Sequence, residues 1–323
     1  MRFSIIIPVA KLNSYLEESI PKILELDFPK EEYEILILPN SIPKNLPEYA
    51  KHRQITLIKT GKVSPAIKRD IGASKSQGHF LCFLDDDAYP QSDWLNVAKE
   101  TFLSLSEDYA AINGPAVTPK DSTKFEKISG AFFESSFGGG AAHRCKDIKR
   151  SFDVDDAPSV NFIVNKDIFL KLGGFGSEYW PGEDSLFCHK LKDNNYKIYY
   201  KNNLIVSHHR RKTISAHLEQ VAGYGKHRGN FFRKGIGCSR KLTYLAPSVF
   251  LITNILLLYF SWPLWFIIIG FYIWLLLFDL FANANTSIVN NVFVAGLTYL
   301  SHLTYGFYFI KGFFTKDVRS KLR

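Results

Sequence analysis

Short apolar runs alternate with amphipathic stretches over the first two thirds of the chain. Phe3 to Ile7 is β-branched and apolar and is stopped by Pro8, the pattern of a buried parallel strand. From Asn13 to Leu26, Leu16, Ile20, Ile23 and Leu24 form one helical stripe. Tyr33 to Leu38 and Ile55 to Lys59 read as two more strands, Pro65 to Lys75 as a helix of small residues, and Gly78 to Leu84 as a fourth strand. Strands alternating with helices predict βαβ units and a parallel sheet covered on both faces. Further on, Tyr199 to Val206 is strand-like. The spacing of Leu186, Phe187 and Leu191 is helical and puts Glu183 and Asp184 at a helix N-terminus, where the dipole stabilises a carboxylate.

The pattern then changes. Leu242 to Ile310 spans 69 residues with a single formal charge, Asp279. Leu242 to Phe260 and Trp262 to Phe281 are each long enough to cross a bilayer as a helix, and Ser261-Trp262-Pro263 reads as the hairpin between them. Ile288 to Ile310 is more polar, with Asn290, Asn291 and His302, and suits either a third span or an interfacial helix. Asp279, near the end of its segment, is expected in the headgroup region. A division follows: 1–232 as a catalytic domain, 233–241 as a basic juxtamembrane segment, 242–310 as a membrane domain of two to three helices, and 311–323 as a basic tail.

Charge sharpens this picture. The 323 residues carry a net charge of +9. Lys226 to Lys241 holds six Lys or Arg and no acid, and Lys311 to Arg323 holds five with one acid, Asp317. Basic clusters flanking an apolar block mark the cytoplasmic edge of a membrane segment rather than a nucleic-acid surface. A multi-pass protein of the cell membrane with a cytoplasmic catalytic domain is expected, with no nucleic-acid partner. The four cysteines, Cys82, Cys145, Cys188 and Cys238, include no CxxC pair, which argues against a zinc site and for reduced thiols.

Candidate chemistry gathers at a strand end. Phe80 to Leu84 runs directly into Asp85, Asp86 and Asp87. Three adjacent carboxylates are tolerated either in a solvated turn or around a hard divalent cation, Mg²⁺ or Mn²⁺. In parallel sheets ligands bind beyond such strand ends. Ser207-His208-His209-Arg210-Arg211-Lys212 follows a strand and reads as either a solvated basic loop or a phosphate clamp, in which a guanidinium can hold two oxygens at once. Phe132 to Phe152, with Gly138, Gly139 and Gly140, reads as a mobile loop.

Three stretches, in this order and spacing, resemble family 2 glycosyltransferases: Ser4-Ile5-Ile6-Ile7-Pro8-Val9, Lys68-Arg69-Asp70-Ile71-Gly72-Ala73, and Phe83-Leu84-Asp85-Asp86-Asp87-Ala88-Tyr89-Pro90 with Trp94-Leu95. The resemblance covers about residues 3 to 232. It implies an α/β fold of the GT-A type, a nucleotide-diphospho-sugar transferase fold with a mostly parallel central sheet, here followed by C-terminal transmembrane helices. It implies that Pro8 and Val9 sit beside the nucleotide base and that Lys68 and Arg69 lie near the nucleotide and its phosphates. Asp85, Asp86 and Asp87 face the donor, Asp85 and Asp87 being the ends of a D-x-D motif with Asp87 on the metal. His208 is the further metal ligand, with His209 in reserve, and Arg210 and Arg211 face the diphosphate. Asp184 is the general base with Glu183 as its partner, and Asn161, Gln220 and Arg228 are directed to acceptor or phosphate.

Leu38-Pro39-Asn40-Ser41-Ile42-Pro43 and Ala10-Lys11 depart from the family at the turns that read the base. The segment from Gln220 to Gly229 lacks the tryptophan of processive members, which favours addition of one sugar. The expectation is an inverting, metal-dependent hexosyltransferase that moves one sugar from a nucleotide-sugar donor to a membrane-associated, lipid-linked acceptor in glycan or polysaccharide biosynthesis. A polyprenyl-phosphate sugar synthase of the same fold and a catalytically degenerate membrane scaffold are the alternatives.

Overall fold

The computed structural model describes every residue except 140, 141, 147, 177, 178, 180, 237, 238, 240, 284–287, 317 and 319–323, and the side chains of 283, 288 and 289. Gly140, Trp180, Cys238 and Asp317 thus lie outside the described residues. The chain forms two compact units, one built from Met1–Val117 and Lys146–His208, the other from Thr118–Cys145 and His209–Val318.

The first unit is an α/β layer structure. Its strands are β1 (Phe3–Pro8), β2 (Tyr33–Leu38), β3 (Ile55–Leu57), β4 (Phe80–Leu84), β5 (Ala88–Pro90), β6 (Tyr109–Asn113), β7 (Ala116–Val117), β8 (Phe152–Val154), β9 (Asn161–Asn165), β10 (Lys197–Tyr200) and β11 (Val206–His208). The main sheet has the order β3-β2-β1-β4-β9-β6-β10-β8, and a small second sheet has the order β5-β11-β7. The β3-β2-β1-β4 half is parallel, as the alternation of elements predicts. β9 departs from it, running antiparallel to both β4 and β6.

Strand alternation explains the two faces. Phe3, Ile5 and Ile7 enter one core with Leu16, Ile20 and Ile23 of α1 (Ser14–Leu24) and with Trp94 and Leu95 of α3 (Trp94–Ser104). Ile6 enters the other core with Ala66 and Ala73 of α2 (Pro65–Lys75), Phe169 of α5 (Lys166–Lys171) and Phe187 of α6 (Glu183–Asp193). α2 begins as its sequence dictates: the Ser64 side chain accepts from the Ile67 N–H, and Pro65 fills a first-turn position that needs no donor.

The second unit is helical: α4 (Lys124–Glu134), α7 (Ile214–Arg233), α8 (Ala246–Phe260), α9 (Trp262–Asn283) and α10 (Ile288–Phe314). Among the described residues, two segments are long and apolar enough to cross a membrane: Leu242–Phe260, mean hydropathy 1.7, and Trp262–Ala282, mean hydropathy 2.3. α10 instead lies along α7. Added Cβ atoms at Gly225 and Gly229 of α7 would overlap the backbone carbonyls of Tyr305 and Phe309, and one at Gly312 would overlap that of Lys226. Small residues thus let the two backbones approach closely. This packing explains why the units part at residues 208 and 209 and not at 232: α7 belongs with the apolar helices.

Two further expectations change. Asp279 is buried, accepting from the Ser136 N–H at 3.1 Å and the Ser136 hydroxyl at 2.7 Å. The glycine-rich stretch was expected to be a mobile loop, yet Phe132 to Glu134 close α4 and the turn after it is held. His302 Nε2 donates to the Phe137 carbonyl at 2.9 Å, while its Nδ1 meets the Tyr272 hydroxyl at 2.7 Å. A buried carboxylate and imidazole need such partners, and the turn's polar groups supply them.

Gly229→Ala is expected to cost about 1–3 kcal/mol, because the new methyl meets backbone that cannot yield. Thermal unfolding of the full chain in detergent measures it; an unchanged midpoint would mean that α7 and α10 do not pack through this glycine.

Candidate active site

β4 delivers Asp85, Asp86 and Asp87 at its carboxyl end. The small sheet brings in His208, because β11 pairs antiparallel with β5 and sets His208 opposite Ala88, next to Asp87. His208 Nε2 lies 3.2 Å from Asp87 Oδ1. One donor atom from each of Asp85, Asp87 and His208 lies within 4.8 Å of the others. Two carboxylate oxygens and one imidazole nitrogen, converging on one point, form a donor set that fits a divalent cation such as Mn²⁺. His209 turns elsewhere, its Nδ1 lying 3.7 Å from Glu126 Oε1 in the second unit.

Asp86 does not join this set. Its carboxylate accepts from Asn13 Nδ2 at 2.5 Å, and the same Asn13 caps α1 through the Leu16 N–H. Burial, followed by repulsion from Asp87, pushes the Asp86 carboxyl up to about 6.

The adjacent Lys68, Arg69 and Asp70 on α2 tie the site together. Lys68 Nζ donates to the carbonyls of Val9 and Leu38 and to Asn40 Oδ1, joining the ends of β1 and β2. Burial lowers the Lys68 amine to about 8. Arg69 is buried, 3% exposed, and bridges two acids: NH1 to Glu183 Oε1 at 2.8 Å and NH2 to Asp85 Oδ1 at 2.6 Å. Asp70 accepts the N–H groups of Phe175 and Gly176, both at 2.9 Å, in a turn where Gly173, Gly174 and Gly176 have positive φ. Lys68 and Arg69 were expected near the nucleotide and its phosphates; in the structure both side chains are engaged with protein partners. An internal bridge is the cheaper state for a desolvated cation.

Gly182, whose φ of 112° suits glycine, caps α6, which carries Glu183 and Asp184 in its first turn, as the helical spacing predicts. Two influences compete at Glu183. Burial and the neighbouring Asp184 raise its pKa, and Arg69 opposes them; burial prevails. Asp184 is oriented by backbone, with the Ser159 N–H at 3.3 Å from Oδ2 and the Ser185 N–H at 2.8 Å from Oδ1.

Asn161, expected at acceptor or phosphate, is engaged within the protein. It is fully buried; its Oδ1 accepts from Trp94 Nε1 at 3.1 Å, and its Nδ2 donates to the carbonyls of Leu204 at 2.7 Å and Pro115 at 3.3 Å. Its amide satisfies backbone that would otherwise be orphaned, which is why an asparagine stands in this strand. Pro8 and Val9 are buried at the end of β1. Arg210, Arg211, Gln220 and Arg228 belong to the second unit. There Arg210 Nε donates to the Thr118 hydroxyl at 3.2 Å with its guanidinium over Phe133, and Gln220 Nε2 donates to the Tyr224 hydroxyl at 3.0 Å.

Asn13 and Asp70 had no assigned role in the sequence reading. Asp70 was adjacent to the signal, directly after Lys68-Arg69; Asn13 was visible only as the first residue of a helical stretch.

Residues 4–169, just over half of the chain, match the profile of "Glycosyl transferase family 2", and the chain belongs to that family. It is a nucleotide-sugar-dependent glycosyltransferase. A dolichyl N-acetyl-alpha-D-glucosaminyl phosphate 3-beta-D-2,3-diacetamido-2,3-dideoxy-beta-D-glucuronosyltransferase of Methanococcus voltae is 22% identical over 243 residues, 72% of this chain and 74% of that protein. Glycosyltransferase AglE of Haloferax volcanii is 23% identical over 211 residues, 64% of this chain and 66% of that protein. Among solved structures, mannosyltransferase PcManGT from Pyrobaculum calidifontis, in complex with GDP-Man and Mn²⁺, has a TM-score of 0.64 at 16% identity, covering 93% of this chain and 87% of that one. The fold is of the GT-A type.

Arg69→Met is expected to lose about 3 kcal/mol at neutral pH, because it strands Glu183 as a buried acid. Arg69 holds the Glu183 pKa down, so its removal moves that pKa further above the value of about 8 in the intact protein; the folded variant then keeps a proton that the intact protein releases, and the loss grows as pH rises through that value. Denaturant unfolding of both proteins at pH 6 and pH 9 checks the sign; a loss independent of pH would contradict it.

Proposed function

We propose that this protein is an inverting, divalent-metal-dependent glycosyltransferase that moves one sugar from a nucleotide-sugar donor to a lipid-linked saccharide at a membrane surface. The observation that carries the reading is the convergence of Asp85, Asp87 and His208 in one unit with Asp184, which Ser159 and Ser185 orient and whose neighbour Glu183 is tied through Arg69 to Asp85.

Asp85, Asp87 and His208 would hold the metal, whose charge offsets that developing on the departing diphosphate. Pro8 and Val9 border the base, and Lys68 and Asn40 shape that end of the sheet. Asp184 accepts the proton of the acceptor hydroxyl as its oxygen bonds to the anomeric carbon from the face opposite the leaving diphosphate. The carbon–oxygen bond to the donor phosphate breaks in the same step, so the configuration inverts. Glu183 and Arg69 keep the Asp184 segment in register with Asp85.

The acceptor class has two supports. The Methanococcus voltae relative acts, by its name, on a dolichyl-linked sugar phosphate. Leu242–Phe260 and Trp262–Ala282 are mostly exposed apolar helices, which a bilayer would cover. Two spans return the chain to the side it left, so both basic flanks can lie in the cytoplasm with the catalytic unit.

With a donor in hand, Asp184→Asn is expected to lower kcat by roughly 10²–10⁴-fold and leave nucleotide affinity unchanged, and NMR of the product should show the anomeric configuration opposite to the donor's. Retention of configuration, or an active Asp184→Asn, would remove Asp184 as the base.

A further inference from the structure

A cavity of about 370 Å³ opens in the first unit between the start of α1 and the segment 43–49 that follows β2, a size that suits a small ligand. Leu12 and Glu17 line one side, and Pro43, Leu46, Pro47 and Tyr49 line the other. Glu17 is exposed, sits in the first turn of α1, and makes no hydrogen bond or ion pair among the described residues. The Tyr49 hydroxyl is buried and has no hydrogen-bond partner. Burial, followed by the Glu17 charge, pushes the Tyr49 phenol up to about 12, so it remains an O–H donor at neutral pH.

Contacts tie this cavity to the acidic cluster. Leu12 directly precedes Asn13, which caps α1 and donates through Nδ2 to Asp86 at 2.5 Å. Glu17 follows about one helical turn, ~6 Å, along α1. Beside them the Asn40 N–H donates to the Ala10 carbonyl at 3.2 Å, and Lys68 Nζ holds Asn40 Oδ1 at 2.6 Å. The turns after β1 and β2 are thus joined, and the cavity lies beyond the joint with one wall on each chain segment. A carboxylate only accepts hydrogen bonds. Guanine presents two adjacent donors, N1–H and the 2-amino group, which one carboxylate can take together. Uracil and thymine present a single N–H between two carbonyls, and adenine a single amino group beside a bare ring nitrogen, so a carboxylate meets a lone pair on each. The guanine 6-carbonyl, next to N1, is an acceptor of the kind that the Tyr49 hydroxyl lacks.

We propose that this cavity receives the base of the donor nucleotide and that Glu17 selects guanine by accepting from N1–H and the 2-amino group. Guanine recognition here rests on the proposed placement of the diphosphate at Asp85 and Asp87. It adds the identity of the base, which the departures at Ala10-Lys11 and at 38–43 leave open.

The test titrates the full chain in detergent with GDP, UDP, dTDP, ADP and XDP, calorimetrically and with Mn²⁺ present; XDP is xanthosine diphosphate, in which a carbonyl replaces the 2-amino group. GDP is expected to bind at least about tenfold more tightly than each of the others. Glu17→Gln should weaken GDP about tenfold, the loss of hydrogen bonding to a charged group. The same variant should favour XDP over GDP, because a carboxamide donates to the 2-carbonyl while still accepting from N1–H. A folding defect cannot reverse a preference between two nucleotides, and the exposed, unbonded Glu17 leaves the unfolding midpoint where it was. UDP, dTDP or ADP binding as tightly as GDP, or an unchanged GDP affinity in Glu17→Gln, would overturn the guanine assignment and leave the diphosphate placement intact. No binding of any nucleotide with Mn²⁺ would overturn both.

Discussion

A single buried guanidinium organises the catalytic unit. Arg69 leaves water almost completely, a state that is tolerable only when its charge is met by carboxylates. It meets two, Asp85 from the end of β4 and Glu183 from the start of α6. Those residues are far apart in sequence, and each is adjacent to, or part of, the proposed chemistry. The neighbours of Arg69 extend the same constraint: Lys68 joins the ends of β1 and β2, and Asp70 pins the glycine turn that precedes α6. One turn of α2 therefore fixes the strand ends, the acidic cluster and the helix that presents Asp184.

Much of this was legible in the sequence, and the reasons for the misses are specific. Strands whose runs are β-branched and bounded by proline or glycine, such as β1 and β4, are read from periodicity. So are the helix starting at Glu183 and the two long apolar segments. β9 is apolar in the same way as its neighbours, and a local pattern carries no sign of strand direction. Asn161 was expected at a ligand because its segment resembles the one that faces sugar and acceptor in the family. Its fully buried amide serves Trp94, Leu204 and Pro115, partners too remote in sequence to be seen. Local sequence also left His208 and His209 as alternatives; the pairing of β11 with β5 decides which ring turns to Asp87. The internal bonds of Lys68 and Arg69 were not legible, because their acceptors come from four separate elements.

The helical unit obeys a second constraint. An apolar block can carry polar groups only where they are satisfied. Asp279 and His302 are met by Ser136 and Phe137 of the turn after α4, and His217 of α7 is held between the hydroxyls of Ser129 and Ser301. These bonds, together with the glycines between α7 and α10, explain why a segment from the middle of the chain folds with the C-terminal helices. They also account for the single acid in 69 apolar residues.

The central claim is that Asp85, Asp87 and His208 bind a metal together with a nucleotide diphosphate. Calorimetric titration of the detergent-solubilised full chain with UDP, GDP and dTDP, each with Mn²⁺ and with EDTA, tests it most directly. The account predicts that one nucleotide binds with Mn²⁺ and that both EDTA and Asp87→Ala abolish the binding. A nucleotide that binds equally with Mn²⁺ and with EDTA, or equally to the Asp87→Ala variant, would contradict it.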